Sequence, residues 1–187
     1  MPLKRKLFMK IKLCIFCLIL LHLSVCILES KIVFSSRRGD DPNLKLFVME
    51  DDGSNVKQVS HSEYWDSEPS WLPNGREVVF VRDFTRGERV GSNSAFLILD
   101  IKTSEERIFM ENHPTDQFPA LSRDGRLLAF NSVRSGIWNI YVLDLASGNL
   151  KQLTDNIVSE WTKSMDLSPD GKQIVYHHEG QRAITFG

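Results

Sequence analysis

The chain has 187 residues, of which 23 are basic, 24 acidic and five histidine, for a net charge of −1, with 42% apolar and 10% aromatic side chains. Such a length and apolar content exclude a disordered chain and suffice for one packed domain. Five of the basic residues, Lys4, Arg5, Lys6, Lys10 and Lys12, sit at the N-terminus, which leaves 18 basic against 24 acidic residues and a net charge of −6 in the remainder. That balance sets nucleic acid aside as a ligand.

The basic cluster runs into an apolar stretch from Leu13 to Leu28, broken only by His22 and Ser24, and no acidic residue occurs before Glu29. This is the charge and hydropathy order of a secretory signal peptide over residues 1–26, with cleavage after Cys26 favoured by the small residues Ser24 and Cys26. The apolar run is shorter than the roughly 20 residues a membrane span needs, although an uncleaved anchor stays open. Leu23-Ser24-Val25-Cys26 is similar to a lipoprotein box with Cys26 as the acylated residue, from which Val25 departs. The reading places the rest of the chain outside the cytoplasm, periplasmic or secreted, with a membrane contact only through this leader. Cys14, Cys17 and Cys26 all lie within it, so the exported part has neither disulfide nor thiol and must rely on packed sheets.

Beyond the leader, short β-rich runs alternate with turn residues. Ile32-Val33-Phe34 comes first, then Leu46-Phe47-Val48-Met49, ended by Glu50 and the turn Asp52-Gly53, then Lys57-Gln58-Val59-Ser60. Ser70-Trp71-Leu72 leads through Pro73-Asn74-Gly75 into Val78-Val79-Phe80, followed by Phe96-Leu97-Ile98-Leu99 with Asp100 and by Arg107-Ile108-Phe109. The order recurs with Ala120-Leu121-Ser122, Arg123-Asp124-Gly125 and Leu128-Ala129-Phe130, then Ile140-Tyr141-Val142-Leu143 with Asp144, Ser147-Gly148 and Lys151-Gln152-Leu153-Thr154. It opens again with Asp166-Leu167-Ser168, Pro169-Asp170-Gly171 and Ile174-Val175-Tyr176.

In all three full copies of the turn the aromatic lies five residues after the glycine, and the glycines are 50 and 46 residues apart. Propeller repeats run to roughly 40 to 45 residues. Asn or Asp followed by Gly is expected to supply the two positive-φ positions of a tight hairpin. Four antiparallel strands per repeat make a propeller blade. The fold expected is therefore all-β, a β-propeller of about three to four four-stranded blades over residues 31–187, with units near 31–61, 69–111, 119–155 and a partial 165–187. The count falls short of a comfortable ring, so the chain reads as an incomplete propeller, with a strained four-bladed ring as the alternative. The last copy is expected to stop shortly after its second strand.

The segment Leu167-Ser168-Pro169-Asp170-Gly171-Lys172-Gln173-Ile174-Val175-Tyr176 resembles the WD-repeat-like propeller repeat of the TolB-like family, as does Ile140-Tyr141-Val142-Leu143-Asp144-Leu145 with Gln152-Leu153-Thr154 downstream. The resemblance covers nearly everything from Lys31 onward. It implies the fold, and it leaves function open, because similar blades belong to prolyl-oligopeptidase-like peptidases.

No Gly-x-Ser-x-Gly elbow occurs, and no enzyme activity or cofactor is expected. Ser54-Asn55-Val56-Lys57 and Asp51-Asp52-Gly53 read as turns, and His177 and His178, adjacent on a strand, point to opposite faces and cannot share a metal. What remains is a loop face. The segments 61–68, 112–117 and 156–163 should emerge beside 37–42, 84–94 and 133–136 and gather Arg38, Tyr64, Trp65, Arg86, Arg134 and Trp161, residue types that dominate binding hot spots. Packing of Trp65 and Trp161 between blades is the competing explanation. The loop 85–94, about six residues longer than its counterpart, should be exposed and cut first by trypsin, at Arg86 and Arg89. The expected role is an exported, non-enzymatic propeller that binds a protein, peptide or envelope component. The alternative is the propeller part of a prolyl-oligopeptidase-like peptidase, and open blade edges would favour self-association.

Overall fold

The computed structural model describes residues 31–86, 93–110, 113–155, 163–178 and 181–185. Every regular element among them is a strand, and all strand pairs are antiparallel. The first sheet holds β1 (Lys31–Ser36), β2 (Lys45–Glu50) and β3 (Lys57–Gln58). The second holds β4 (Trp65–Trp71), β5 (Glu77–Asp83), β6 (Ser94–Asp100) and β7 (Glu106–Ile108), and the third β8 (Gln117–Leu121), β9 (Leu127–Ser132), β10 (Asn139–Asp144) and β11 (Leu150–Gln152). The fourth holds β12 (Lys163–Leu167), β13 (Gln173–His178) and β14 (Gln181–Thr185). Within each sheet the strands follow one another in chain order, and successive sheets pack through their innermost strands, β4 on β1 and β2, β8 on β4 and β5, β12 on β8 and β9. These are propeller blades, with no extensive packing of the first sheet on the last among the described residues.

The turn that opens each blade differs from the expected hairpin in one respect. Only the glycine has positive φ, at 63° for Gly75, 71° for Gly125 and 67° for Gly171. The residue before it is selected for hydrogen bonding instead. Asp124 accepts from the Ser122 hydroxyl at 2.6 Å and from the Arg126 N–H at 3.0 Å, while Ser122 Oγ accepts from the Leu127 N–H at 2.9 Å. Asp170 and Ser168 repeat these bonds at 2.6, 3.1 and 2.9 Å, and Asn74 accepts from the N–H groups of Arg76 and Glu77. The turn is closed locally by a side chain that mimics a backbone acceptor.

A second repeated device joins the third and fourth strands of a blade. The Ser60 hydroxyl accepts from the Leu46 N–H and the Thr154 hydroxyl from the Ile140 N–H, both at 2.9 Å, while Gln58 and Gln152 donate to the carbonyls of Ser60 and Thr154. The near identity of Lys57-Gln58-Val59-Ser60 and Lys151-Gln152-Leu153-Thr154 thus reflects one hydrogen-bonded clamp.

The core lies between sheets. Leu46, Val48 and Val59 of the first pack on Phe80, Leu97 and Leu99 of the second, and Val79, Val81 and Phe96 pack on Leu128, Phe130 and Tyr141 of the third. Because β5 is covered on both faces, its run Val78-Val79-Phe80-Val81 is continuously apolar and at most 1% exposed. Burying each such side chain stabilises the fold by about 1.5 to 3 kcal/mol. Ala120, Ala129, Ile140 and Val142 meet Leu167, Ile174 and Tyr176 in the same way. The last blade goes further than the sequence suggested, because Gln181–Thr185 forms a third strand paired with β13.

Candidate binding face

Four loops converge on one face of the blade array. The connection leaving β3 returns through Ser62 and Tyr64 into β4, and the Tyr64 carbonyl accepts from Lys45 Nζ at 2.9 Å. The Tyr64 ring meets Phe84 edge-on at 5.0 Å, and the Arg86 guanidinium lies 5.7 Å above Tyr64 while pairing with Glu63. Trp65 donates its indole N–H to Asn43 Oδ1 at 3.1 Å and lies 4.5 Å beneath Arg37. The base of the loop after β5 is closed by the Phe84 N–H donating to Asn93, and Ser94 donates to the carbonyls of Pro114 and Asp116. Asp116, fully buried, accepts both Arg134 bonds at 2.8 and 2.7 Å and the His113 N–H at 2.9 Å. The contacts therefore run without a break from the loop after β1 to the loop after β9.

Of the six residues picked out from the sequence, Tyr64, Trp65, Arg86 and Arg134 join this belt. Trp65 uses both its indole N–H and its ring face between the first two blades, so it combines surface and packing roles. Arg38 stands apart, over Phe34 and Phe47 at 5.3 and 5.2 Å. Trp161 lies outside the described residues, as do Arg89 with the middle of the long loop and the side chains of His177 and His178. A groove of about 390 Å³ runs beside the belt, lined by Met110, His113, Phe130, Arg134 and Leu143 among others.

Three acidic residues that sequence reading passed over shape the site. Asp66, 0% exposed, receives Arg82 Nε at 2.7 Å and Nη2 at 3.1 Å, and the same guanidinium grips Glu106 at 2.7 and 3.0 Å. Glu68 sits in a bulge of β4 with φ 55° and accepts the Phe118 N–H of the next blade at 2.6 Å. Burial pushes its carboxyl up to about 7, against the lowering effect of the Phe118 bond and with a smaller upward push from Asp83. The one sequence signal was the recurrence of Asp66-Ser67-Glu68-Pro69 as Asp116-Gln117-Phe118-Pro119 at the head of successive blades. Among the described residues no cluster of three or more histidine, cysteine or acidic side chains could hold a metal ion.

No protein-family model matches the chain. It is 24% identical over 144 residues to the uncharacterized peptidase YuxL of Bacillus subtilis, covering 76% of this chain and 19% of that protein. It is 36% identical over 56 residues to the Tol-Pal system protein TolB of Francisella tularensis, covering 30% of this chain and 12% of that one. The chain thus spans under a fifth of the length of either relative. Among solved structures, TolB from Acinetobacter baumannii superposes with a TM-score of 0.66 at 24% identity over 84% of this chain and 39% of its own. By repeat pattern and by fold, the described residues form blades of a β-propeller similar to those of TolB proteins.

Proposed function

We propose that the chain is an exported, non-enzymatic propeller that binds a protein or peptide partner, an envelope component by preference, through its loop face. The observation that carries this reading is the continuous belt from Asn43 to Arg134, in which Tyr64, Trp65, Phe84 and Arg86 present aromatic and guanidinium surface on loops fixed by hydrogen bonds. Such preorganised aromatic and arginine groups give contact area at low entropic cost. The basic, apolar leader and the similarity to TolB proteins support an extracytoplasmic location. Retention of one defined partner from an envelope extract by the wild type and by the outer-strand control Ile108→Ser, with loss in Tyr64→Ala/Arg86→Ala, tests the reading. Equal retention by all three would refute it. N-terminal sequencing after export tests cleavage after Cys26.

A second reading, the propeller part of a prolyl-oligopeptidase-like peptidase, is favoured by the similarity to YuxL along most of this chain. Sequence beyond Gly187 containing a Gly-x-Ser-x-Gly segment would support it, and hydrolysis of aminoacyl p-nitroanilides by the longer protein would establish it.

A further inference from the structure

The turn that opens the second blade differs from those of the third and fourth at the residue before its glycine. Asp124 and Asp170 stand where Asn74 does, and each receives a bond at 2.6 Å from the hydroxyl of the serine two residues earlier, Ser122 or Ser168. Leu72 occupies that serine's place and has no side-chain donor. The Asn74 amide makes up the difference from the other side, donating from Nδ2 to Glu77 Oε2 at 2.8 Å while Oδ1 accepts the Arg76 and Glu77 N–H groups, both at 3.0 Å. The Gly75 N–H donates to the Leu72 carbonyl at 3.0 Å.

Asn74-Gly75 is the one asparagine-glycine pair in the sequence, and both residues are exposed. With no Cβ on Gly75, no side chain of its own shields its nitrogen from the Asn74 side-chain carbon. Once that nitrogen has given its proton to a solvent base it attacks Cγ, so that the N–Cγ bond forms, the Cγ–Nδ2 bond breaks, and Nδ2 leaves as ammonia after taking up a proton from water. Water then opens the cyclic imide at either carbonyl, to aspartyl or isoaspartyl, and no oxidant or reductant is consumed. In the closed turn each of these moves is opposed by a bond. The Leu72 carbonyl favours the protonated Gly75 nitrogen, the Arg76 and Glu77 N–H groups fix the Asn74 oxygen, and Glu77 holds the departing nitrogen.

We propose that Asn74 is a site of spontaneous deamidation gated by the second-blade turn, held off while the turn is closed and converted irreversibly when it opens. The product does not restore the turn. An aspartate there keeps the acceptor for Arg76 and Glu77, as Asp124 does for Arg126, but it loses the bond to Glu77, sets one carboxylate beside another, and finds no hydroxyl at Leu72. An isoaspartate adds a carbon to the main chain just before β5. The neighbouring Pro73 packs so closely on Gly125 of the third-blade turn that a Cβ there would stand 2.8 Å from Pro73 Cγ, so the modification loosens the contact between the two turns. The turn lies at the other end of β4 from Trp65, and the inference does not depend on the function proposed above.

The intact chain, held folded at pH 8 or unfolded in guanidinium chloride at the same pH, is compared with the peptide of residues 70–79, Ser-Trp-Leu-Pro-Asn-Gly-Arg-Glu-Val-Val, and the products are read by peptide mapping and mass spectrometry. Aspartyl and isoaspartyl forms are expected at Asn74, at matching rates in the peptide and the unfolded chain and about tenfold or more slower in the folded chain, as for a reaction that must first break several hydrogen bonds. Asn149, exposed and followed by Leu150, should stay unmodified over the same period. Glu77→Ala, which releases Nδ2, should speed the folded-state reaction by about fivefold. Arg107→Ala, which removes only the outer partner of Glu77, should not, both variants being shown folded by circular dichroism. Asn74→Asp should melt below the wild type. Equal rates in the folded chain and the peptide, no conversion in the unfolded chain, modification of Asn149 as fast as of Asn74, or a Glu77→Ala variant no faster than Arg107→Ala would each overturn the inference. So would an Asn74→Asp variant that melts with the wild type.

Discussion

Glu68→Gln should abolish one segment of the pH dependence of stability. The Glu68 carboxyl bridges two blades through the Phe118 N–H and is raised from 4.5 to about 7, chiefly by burial. An acid whose pKa is higher in the native state than in the unfolded chain keeps its proton in the fold where the unfolded chain has released it. Stability therefore falls as pH rises between 4.5 and about 7, and the loss is complete above that window and absent below it. A shift of this size corresponds to about 3 kcal/mol. Glutamine keeps the acceptor for Phe118 and removes the titration, so the variant should match the wild type at pH 5 and exceed it by about 3 kcal/mol at pH 8. Contributions from other groups are common to both proteins and cancel in the difference, and Asp100, held down to about 2 by its bond with Arg76, stays ionised throughout. Urea unfolding followed by tryptophan fluorescence at pH 5, 6, 7 and 8 reads the effect. Parallel pH profiles for the two proteins would refute the reasoning.

Arg82→Met leaves the fully buried Asp66 carboxylate without its bidentate partner and should destabilise the fold by about 3 to 5 kcal/mol in urea unfolding. Gly75→Ala and Gly125→Ala both force a side chain into positive φ, at a cost of about 1 kcal/mol. Only at Gly125 would the new Cβ meet protein, 2.8 Å from Pro73 Cγ of the preceding blade, so Gly125→Ala should lower the melting temperature more than Gly75→Ala. Ser104 holds φ at 62° where the corresponding turn of the next blade uses Gly148 at 72°, so Ser104→Gly should stabilise by about 0.5 to 1 kcal/mol in the same melt. Thr154→Val removes the acceptor of the buried Ile140 N–H and should cost about 1 to 3 kcal/mol, read by urea midpoint.

The recurring Ser-x-Asp-Gly turns and the glycine-to-aromatic spacing determined the strand pairs and their grouping into blades from the sequence alone. The bonds responsible join residues two to five apart, such as Ser122 to Asp124 and Leu127, so the local residues contain the whole cause. The same locality made the clamp around Gln58 and Gln152 visible as a repeated spelling, although its meaning required the third strand of each blade to be in place. Tertiary structure decided the rest. Arg134, a candidate binding arginine by sequence, is tied down by Asp116, 18 residues away, and Arg82 is enclosed from either side by Asp66 and Glu106, which no local pattern announced. Glu68 acquired its raised pKa only because the third blade packs over it. Charge pairing and dehydration depend on which blade lies against which, and that proximity is set by packing between sheets, over separations that spacing along the chain does not encode.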